Sequence, residues 1–354
     1  MFKFEVKLYS MRLIVLFFLV FPITIFSQNE YSFSSKKTFK EAELLMVQGK
    51  LDEAVVLFKE VIKIEPNFSE AYLNLSKIEF SKNEFKNALN LGKEALKVNH
   101  VQFAIYSQIG KSFFMLKEFD SSSYYFDVAT LFGATTANDY YLLARSENND
   151  KRFGRSLKHI EKALEMDGTK SEYFFERGNA FFGNGEFLKA KKDYEKSLSI
   201  TPNQAVVYSK IVDINLLNNN PEEALVNIKK GVANASEEQK LDFLVLKGNY
   251  FNHINEYSNA EKIYNEAFQL DNGNTTVLIN QSAILIKRGA YEEAVEKCSK
   301  AIELDGSQAE AYFNRGIAYE MLKMTSEACS NWEEAFIMGS VEAEEFINSP
   351  ICNE

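Results

Sequence analysis

The 354-residue chain is 46% hydrophobic and 14% aromatic, carries only five prolines, and has a formal charge of −10. That balance excludes a disordered or proline-punctuated chain, and without a block rich in Lys and Arg the acidic surface argues against nucleic-acid binding. Three cysteines, Cys298, Cys329 and Cys352, none in a CxxC arrangement, give neither a zinc-site pattern nor a disulfide framework.

Taken in chain order, residues 1–27 resemble an export signal. Lys3, Lys7 and Arg12 precede an uncharged apolar run of 14 residues, 13–26, and Ser27 supplies a small residue at the cleavage point. The run is interrupted by Pro22 and falls short of the roughly 20 residues that a bilayer span requires, so cleavage is expected over a retained anchor. Removing three basic residues and one acidic one takes the formal charge from −10 to −12. The expected location is outside the cytoplasm of a bacterium: periplasm, envelope or medium. Residues 28–34 read as a flexible lead-in.

From there apolar residues recur at helical spacing in segments of about a dozen, separated by short turns with Gly, Asn or Pro. The segments come in pairs with a period of 34 residues, giving nine units that start at 35, 69, 103, 137, 171, 205, 241, 275 and 309 and an array over 35–342. One step, 205 to 241, is 36 long, which places an insertion near Glu237–Lys240. In the second helix of each unit one slot reads Ala54, Ala88, Ser122, Ser156, Ala190, Ala224, Ala260, Ala294 and Ala328. A later slot reads Val61, Ala95, Ala129, Ala163, Ser197, Gly231, Ala267, Ala301 and Ala335, and the first helix has Ala42, Ser76, Gly110, Ala144, Gly178, Val212, Gly248, Ser282 and Gly316. Small residues there let helices approach closely, while Phe58, Phe126, Tyr194, Tyr264 and Trp332 fill the gaps. Pro66 and Pro202 stop two second helices.

This pattern resembles the tetratricopeptide repeat family, whose unit is a 34-residue helix-turn-helix. The resemblance implies an all-α solenoid of about nine repeats wound into a right-handed superhelix, with first helices lining a concave groove that takes a peptide segment or partner protein. One departure is plain: near the end of the first helix, where Phe113, Phe181, Phe251 and Tyr319 supply the expected aromatic, Glu79, Glu147 and Asn215 stand instead. Those polar groups are expected to be locally paired or their units looser, since burial without a partner is costly. At the far end, residues 343–354 read as a capping helix and tail, with Phe346 and Ile347 on one side and Pro350 as its stop.

Catalysis finds no support: G-x-S-x-G, H-E-x-x-H, P-loop and G-x-G-x-x-G patterns are missing, and His100, His159 and His253 are isolated, so neither enzyme activity nor a cofactor or metal is expected. The groove register suggests a binding site instead. Lys77, Lys111 and Arg145 lie 34 residues apart and would form a basic ladder for an acidic segment or terminal carboxylate, with Asn74 nearby, or else a solvated face paired with acidic neighbours. Phe114, Tyr141, Phe175 and Phe182, with Phe80 and Phe313, sit at groove-side slots beside Asn179 and serve either as anchors for a peptide or as helix packing. Two functional readings follow: an exported protein-interaction adaptor that binds in the groove, or a structural scaffold of a cell-envelope assembly or secretion complex that uses its convex face and ends. For the cysteines, small-residue packing and oxidation of one pair both stay open.

Overall fold

The computed structural model describes residues 31–99, 103–131 and 136–352, so the export segment lies outside the described residues. The chain divides into two compact bodies, residues 1–134 and 135–354. The first body holds α1 (Phe33–Val47), α2 (Leu51–Ile64), α3 (Ser69–Ser81), α4 (Phe85–Val98), α5 (Phe103–Met115) and α6 (Phe119–Leu131). In the second run α7 (Ala137–Asn149), α8 (Phe153–Met166), α9 (Ser171–Gly183), α10 (Phe187–Ile200), α11 (Ala205–Leu217), α12 (Pro221–Asn234) and α13 (Lys240–His253). They are followed by α14 (Tyr257–Leu270), α15 (Thr275–Arg288), α16 (Tyr291–Leu304), α17 (Ala309–Met321), α18 (Thr325–Ile337), the short α19 (Glu342–Ile347) and a 3-10 turn, Pro350–Cys352. No strand occurs among the described residues, and within each body the chain is a stack of antiparallel helix pairs, an all-α solenoid.

Every pair turns at the same place. The residue in the left-handed backbone region is Gly49, Asn83, Lys117, Lys151, Gly185, Asn219, Asn255, Gly289 and Lys323, one per repeat. The amide that follows it closes the first helix on a carbonyl five residues back, as Glu84 does on Glu79 (2.9 Å) and Glu118 on Phe113 (3.0 Å). Glycine adopts this conformation without strain, whereas lysine sits there at a cost that the surrounding hydrogen bonds must offset. Three repeats also fasten the turn with rings: Phe80 on Phe85, Phe114 on Phe119 and Phe182 on Phe187, each edge-to-face with centroids 5.2, 5.7 and 5.3 Å apart.

Inside each pair, first-helix and second-helix residues 16 positions apart complement one another in size. Gly110, Gly178, Gly248 and Gly316 face the buried rings of Phe126, Tyr194, Tyr264 and Trp332. A Cβ on Gly178 would lie 2.6 Å from Tyr194 Cε1, and one on Gly316 would lie 2.4 Å from Trp332 Nε1. Elsewhere the volume is divided differently: Ser76 with Gly92, Ala144 with Ile160, Val212 with Ile228 and Ser282 with Cys298. Gly92 in turn admits Ile109 of the next repeat, whose Cγ1 would sit 2.8 Å from an added Cβ. Across the insertion before α13, the Phe243 ring packs so closely on Gly231 that an added Cβ would overlap it at 2.0 Å.

The polar residues in the aromatic slot differ in fate. Glu79 stays partly exposed, whereas Glu147 is fully buried, with Arg155 Nε 2.9 Å from one oxygen and His159 Nδ1 2.7 Å from the other. Asn215 is likewise buried, and its Oδ1 accepts from Lys191 Nζ at 3.0 Å. Glu147 is thus locally paired, whereas Asn215 is paired only through its oxygen, its Nδ2 being buried with no hydrogen-bond partner among the described residues.

At the C-terminus, α19 lies against α18 in the place where an inner second helix would meet the next first helix. Ala343 is fully buried, and Phe346 sits edge-on to Phe313 (5.1 Å) and tilted over Trp332 (4.8 Å). Cys329 in α18 and Cys352 after α19 form a disulfide, while Cys298 is a buried free thiol. Burial pushes the Cys298 thiol up to about 11, so it remains protonated.

Candidate functional site: first-helix faces of the two bodies

In the first body the predicted groove residues come from α3 and α5. Asn74 is buried, donates from Nδ2 to Glu43 Oε1 (3.4 Å) and accepts at Oδ1 from Lys77 Nζ (3.4 Å). Lys77 as a side chain is exposed, yet its ammonium lies among enough protein atoms to be desolvated. That desolvation, followed by the charge of Lys111, holds Lys77 below the ordinary lysine range against an opposing pull from Glu43. Lys111 is half-buried one repeat on, beside Gln108, whose Nε2 donates to the Ser76 carbonyl at 3.5 Å. Phe114 is also half-buried, its ring committed in part to Phe119. Two neighbouring cations that repel each other are an arrangement an anion would relieve.

In the second body the corresponding face joins several polar and aromatic side chains. Arg145 donates from Nη1 to Tyr141 OH (3.4 Å), and its Nε lies 3.9 Å from Glu176 Oε2. Tyr141 stacks on Tyr173 with centroids 5.1 Å apart, and burial first of all raises its hydroxyl pKa. Glu176, 3% exposed, accepts from Asn148 Nδ2 at 2.6 Å. Asn179 receives the Tyr194 hydroxyl at Oδ1 (2.9 Å), and Phe175 leans on the Tyr194 ring at 5.7 Å. Phe182 is shared between Phe187 and the ammonium of Lys210, 5.7 Å from its centroid. Further along, Asp213 and Asn249 hold the slots homologous to Arg145 and Asn179, with Asn249 Oδ1 accepting from Tyr264 OH (2.6 Å) and Asn280 Nδ2 (3.3 Å). Within the second body this slot therefore runs from cationic (Arg145) through neutral (Asn179) to acidic (Asp213) and back to neutral (Asn249).

Sequence reasoning picked out Tyr141, Arg145 and Asn179 but missed Glu176 and Asn148, which join them into one network. Their slots carry other residue types in neighbouring repeats, so no periodic signal marks them. Burial raises the Glu176 carboxyl above its ordinary range, although Asn148, Arg145 and Asn179 act in the opposite direction. A carboxyl whose pKa is higher folded than unfolded binds its proton more tightly in the fold, so its contribution to stability improves as pH falls through the folded pKa. At neutral pH the desolvated charge is a cost. Glu176→Gln, which keeps the acceptor for Asn148 and removes that charge, is expected to raise stability by about 1 kcal/mol at pH 7 and to flatten the acid side of the melting-temperature profile. Thermal melts from pH 4 to 8 check this, and a lower melting temperature throughout would show that the Arg145 pairing dominates.

Tetratricopeptide repeat models match residues 39–100, 171–204 and 283–323. Human DnaJ homolog subfamily C member 7 is 20% identical over 311 residues, covering 83% of this chain and 58% of that protein. The Hsp70-Hsp90 organising protein of Plasmodium falciparum (isolate 3D7) is 24% identical over 165 residues, 43% of this chain and 27% of the relative. The chain spans 58–66% of the length of the first curated relatives it matches. Among solved structures, the APC/C hetero-tetramer Cut9-Hcn1 superposes with a TM-score of 0.57 at 13% identity, covering 93% of this chain and 64% of that one, a likeness of fold. The family models fall in the first body and at two separate places in the second, on helix pairs built to one plan. The chain is a tetratricopeptide repeat protein.

Proposed function

We propose that the protein is a protein-interaction adaptor that binds a peptide segment or partner protein on its first-helix faces, with an acidic stretch of the partner against Lys77 and Lys111. The observation that carries this reading is the Lys77–Lys111 pair: two cations one repeat apart, the first desolvated and repelled by the second. Their neighbours Asn74 and Gln108 are buried and hydrogen-bonded, which holds the wall behind the cations fixed. Family membership supports protein binding in general. A relative similar to 43% of this chain is named an Hsp70-Hsp90 organising protein.

Export supports the choice of partner compartment rather than the chemistry. It rests on the segment 1–27 and is consistent with the Cys329–Cys352 disulfide, a bond that persists in oxidising surroundings. A mature mass beginning at Gln28 is the expected result, and a mass that retains residues 1–27 would count against it.

The binding claim is tested with a fluorescent peptide ending in several acidic residues, titrated against the wild-type chain, Lys77→Glu/Lys111→Glu and Arg145→Glu. Affinity is expected to fall at least about tenfold in the double variant, with the helical signal and melting temperature unchanged, and to weaken with salt in the wild type. If wild type and double variant bind alike, the two lysines form a solvated face. Retention of the same envelope partners by all three proteins would then favour the scaffold reading, with contacts through the convex side and ends.

A further inference from the structure

We infer that the Cys329–Cys352 disulfide is a redox latch on the C-terminal cap: while it is closed, α19 covers the end of the repeat stack, and its reduction uncovers Trp332 and Phe313.

The cap is weakly built apart from this bond. Helix α19 has six residues, well below the roughly 12–15 at which an isolated helix becomes marginally stable in water, so it depends on what it touches. Its apolar grip consists of Ala343, Phe346 and Ile347. Three of its six residues are glutamates, and Val341, just before it, is 76% exposed. By contrast an inner second helix is covered by a whole first helix of 13 or 14 residues, as α16 is by α17. The disulfide closes the 23-residue separation between α18 and the turn beyond α19, so the cap cannot drift away when its few contacts open. Cutting that tether leaves a short, acidic segment to hold its place alone.

What lies beneath differs from an ordinary helix end. Trp332 is fully buried, and Phe313 occupies the groove-side slot that Tyr141 and Phe175 hold in earlier repeats. Phe346 contacts both rings. Loss of the cap therefore changes the end of the binding face as well as the end of the stack.

The bond is placed to react. Cys329 and Cys352 are both partly exposed, while the third cysteine is buried and protonated and so is not a thiolate that would reshuffle the pair. A dithiol reductant attacks one sulfur as its thiolate, and the protein S–S bond breaks as a mixed disulfide forms. The second reductant thiol then displaces the protein sulfur. Two electrons and two protons pass to Cys329 and Cys352, and the reductant leaves as its own disulfide.

Trp332 is the only tryptophan, so its fluorescence reports on the cap alone. The full chain is compared after air oxidation and after excess dithiothreitol, with thiol titration to count free cysteines, acrylamide quenching of Trp332 and amide exchange across the chain. Reduction is expected to raise the thiol count from one to three, to accelerate exchange over 342–352 by at least about tenfold, and to increase Trp332 quenching severalfold, with exchange in α15 and α16 unchanged. Cys298→Ser is expected to respond as wild type does, and Cys352→Ser to show the reduced pattern with or without dithiothreitol. Equal exchange and quenching in the two states, three free thiols after air oxidation, or a bond that withstands dithiothreitol in the folded protein each overturn the latch. If Cys352→Ser does not fold, the wild-type comparison decides alone.

Discussion

Replacing Gly178 with valine is expected to destabilise the second body by about 1–3 kcal/mol, because the new side chain enters the space of a ring that has nowhere to go. The Cβ alone would sit 2.6 Å from Tyr194 Cε1 and 2.7 Å from Cδ1. Tyr194 is fully buried, its hydroxyl is tied to Asn179, and it packs with Val207 and Ile211 of the next repeat. Neither a rotamer change nor a local shift relieves the overlap without disturbing that neighbour. The informative measurement is the pair. Tyr194→Ala alone opens a cavity and is expected to cost about 3–5 kcal/mol, whereas Gly178→Val combined with Tyr194→Ala refills part of that space and is expected to cost less than the sum by more than about 1 kcal/mol. Denaturant melts of the four proteins give the coupling directly. Additive costs would mean that the two positions do not share one volume, and the size complementarity between first and second helices would fail as an account of this stack.

That complementarity shows what the sequence made legible. The period of 34, the small-residue slots and the rings opposite them are local and repeated, so nine copies of one pattern reinforce each other. The structure places all nine members of the Ala54 slot out of solvent. The left-handed turn position escaped attention because it is filled by Gly in three repeats, Asn in three and Lys in three, and residue identity carries the conformation clearly only for glycine. Groove chemistry was harder for another reason: it lies in departures from the repeat. Phe80, Phe114 and Phe182 look like anchors by register, yet each gives an edge or face to a ring at the start of its own second helix. Glu176 reads as one more surface acid until burial and Asn148 are seen together. Binding residues distinguish one repeat protein from another because they break the pattern that identifies the fold.

Glu147 is the departure with the largest expected energetic consequence. In the slot where Phe113, Phe181, Phe251 and Tyr319 supply rings, this carboxylate is fully buried between Arg155 and His159. Taking a charge out of water costs several kcal/mol, which two close partners largely repay, so the arrangement contributes little net stability and is expensive to disturb. His159→Ala removes one partner at 2.7 Å and is expected to cost about 1.5–3 kcal/mol. His159→Ala with Arg155→Ala strands the carboxylate and is expected to cost about 3–5 kcal/mol, approaching the limit at which the α7–α8 repeat stays folded. Glu147→Phe, by contrast, restores the residue type of the neighbouring repeats. Arg155 keeps about half of its side chain in solvent and turns outward readily, so this change is expected to be neutral or stabilising by about 1–2 kcal/mol. The discriminating outcome is the order of the melting temperatures: Glu147→Phe at or above wild type, then His159→Ala, then the double variant. A Glu147→Phe protein that melts below the double variant would mean that the slot is shaped for the carboxylate and its partners rather than merely tolerating them, and the polar cluster would then be an organising feature of that repeat.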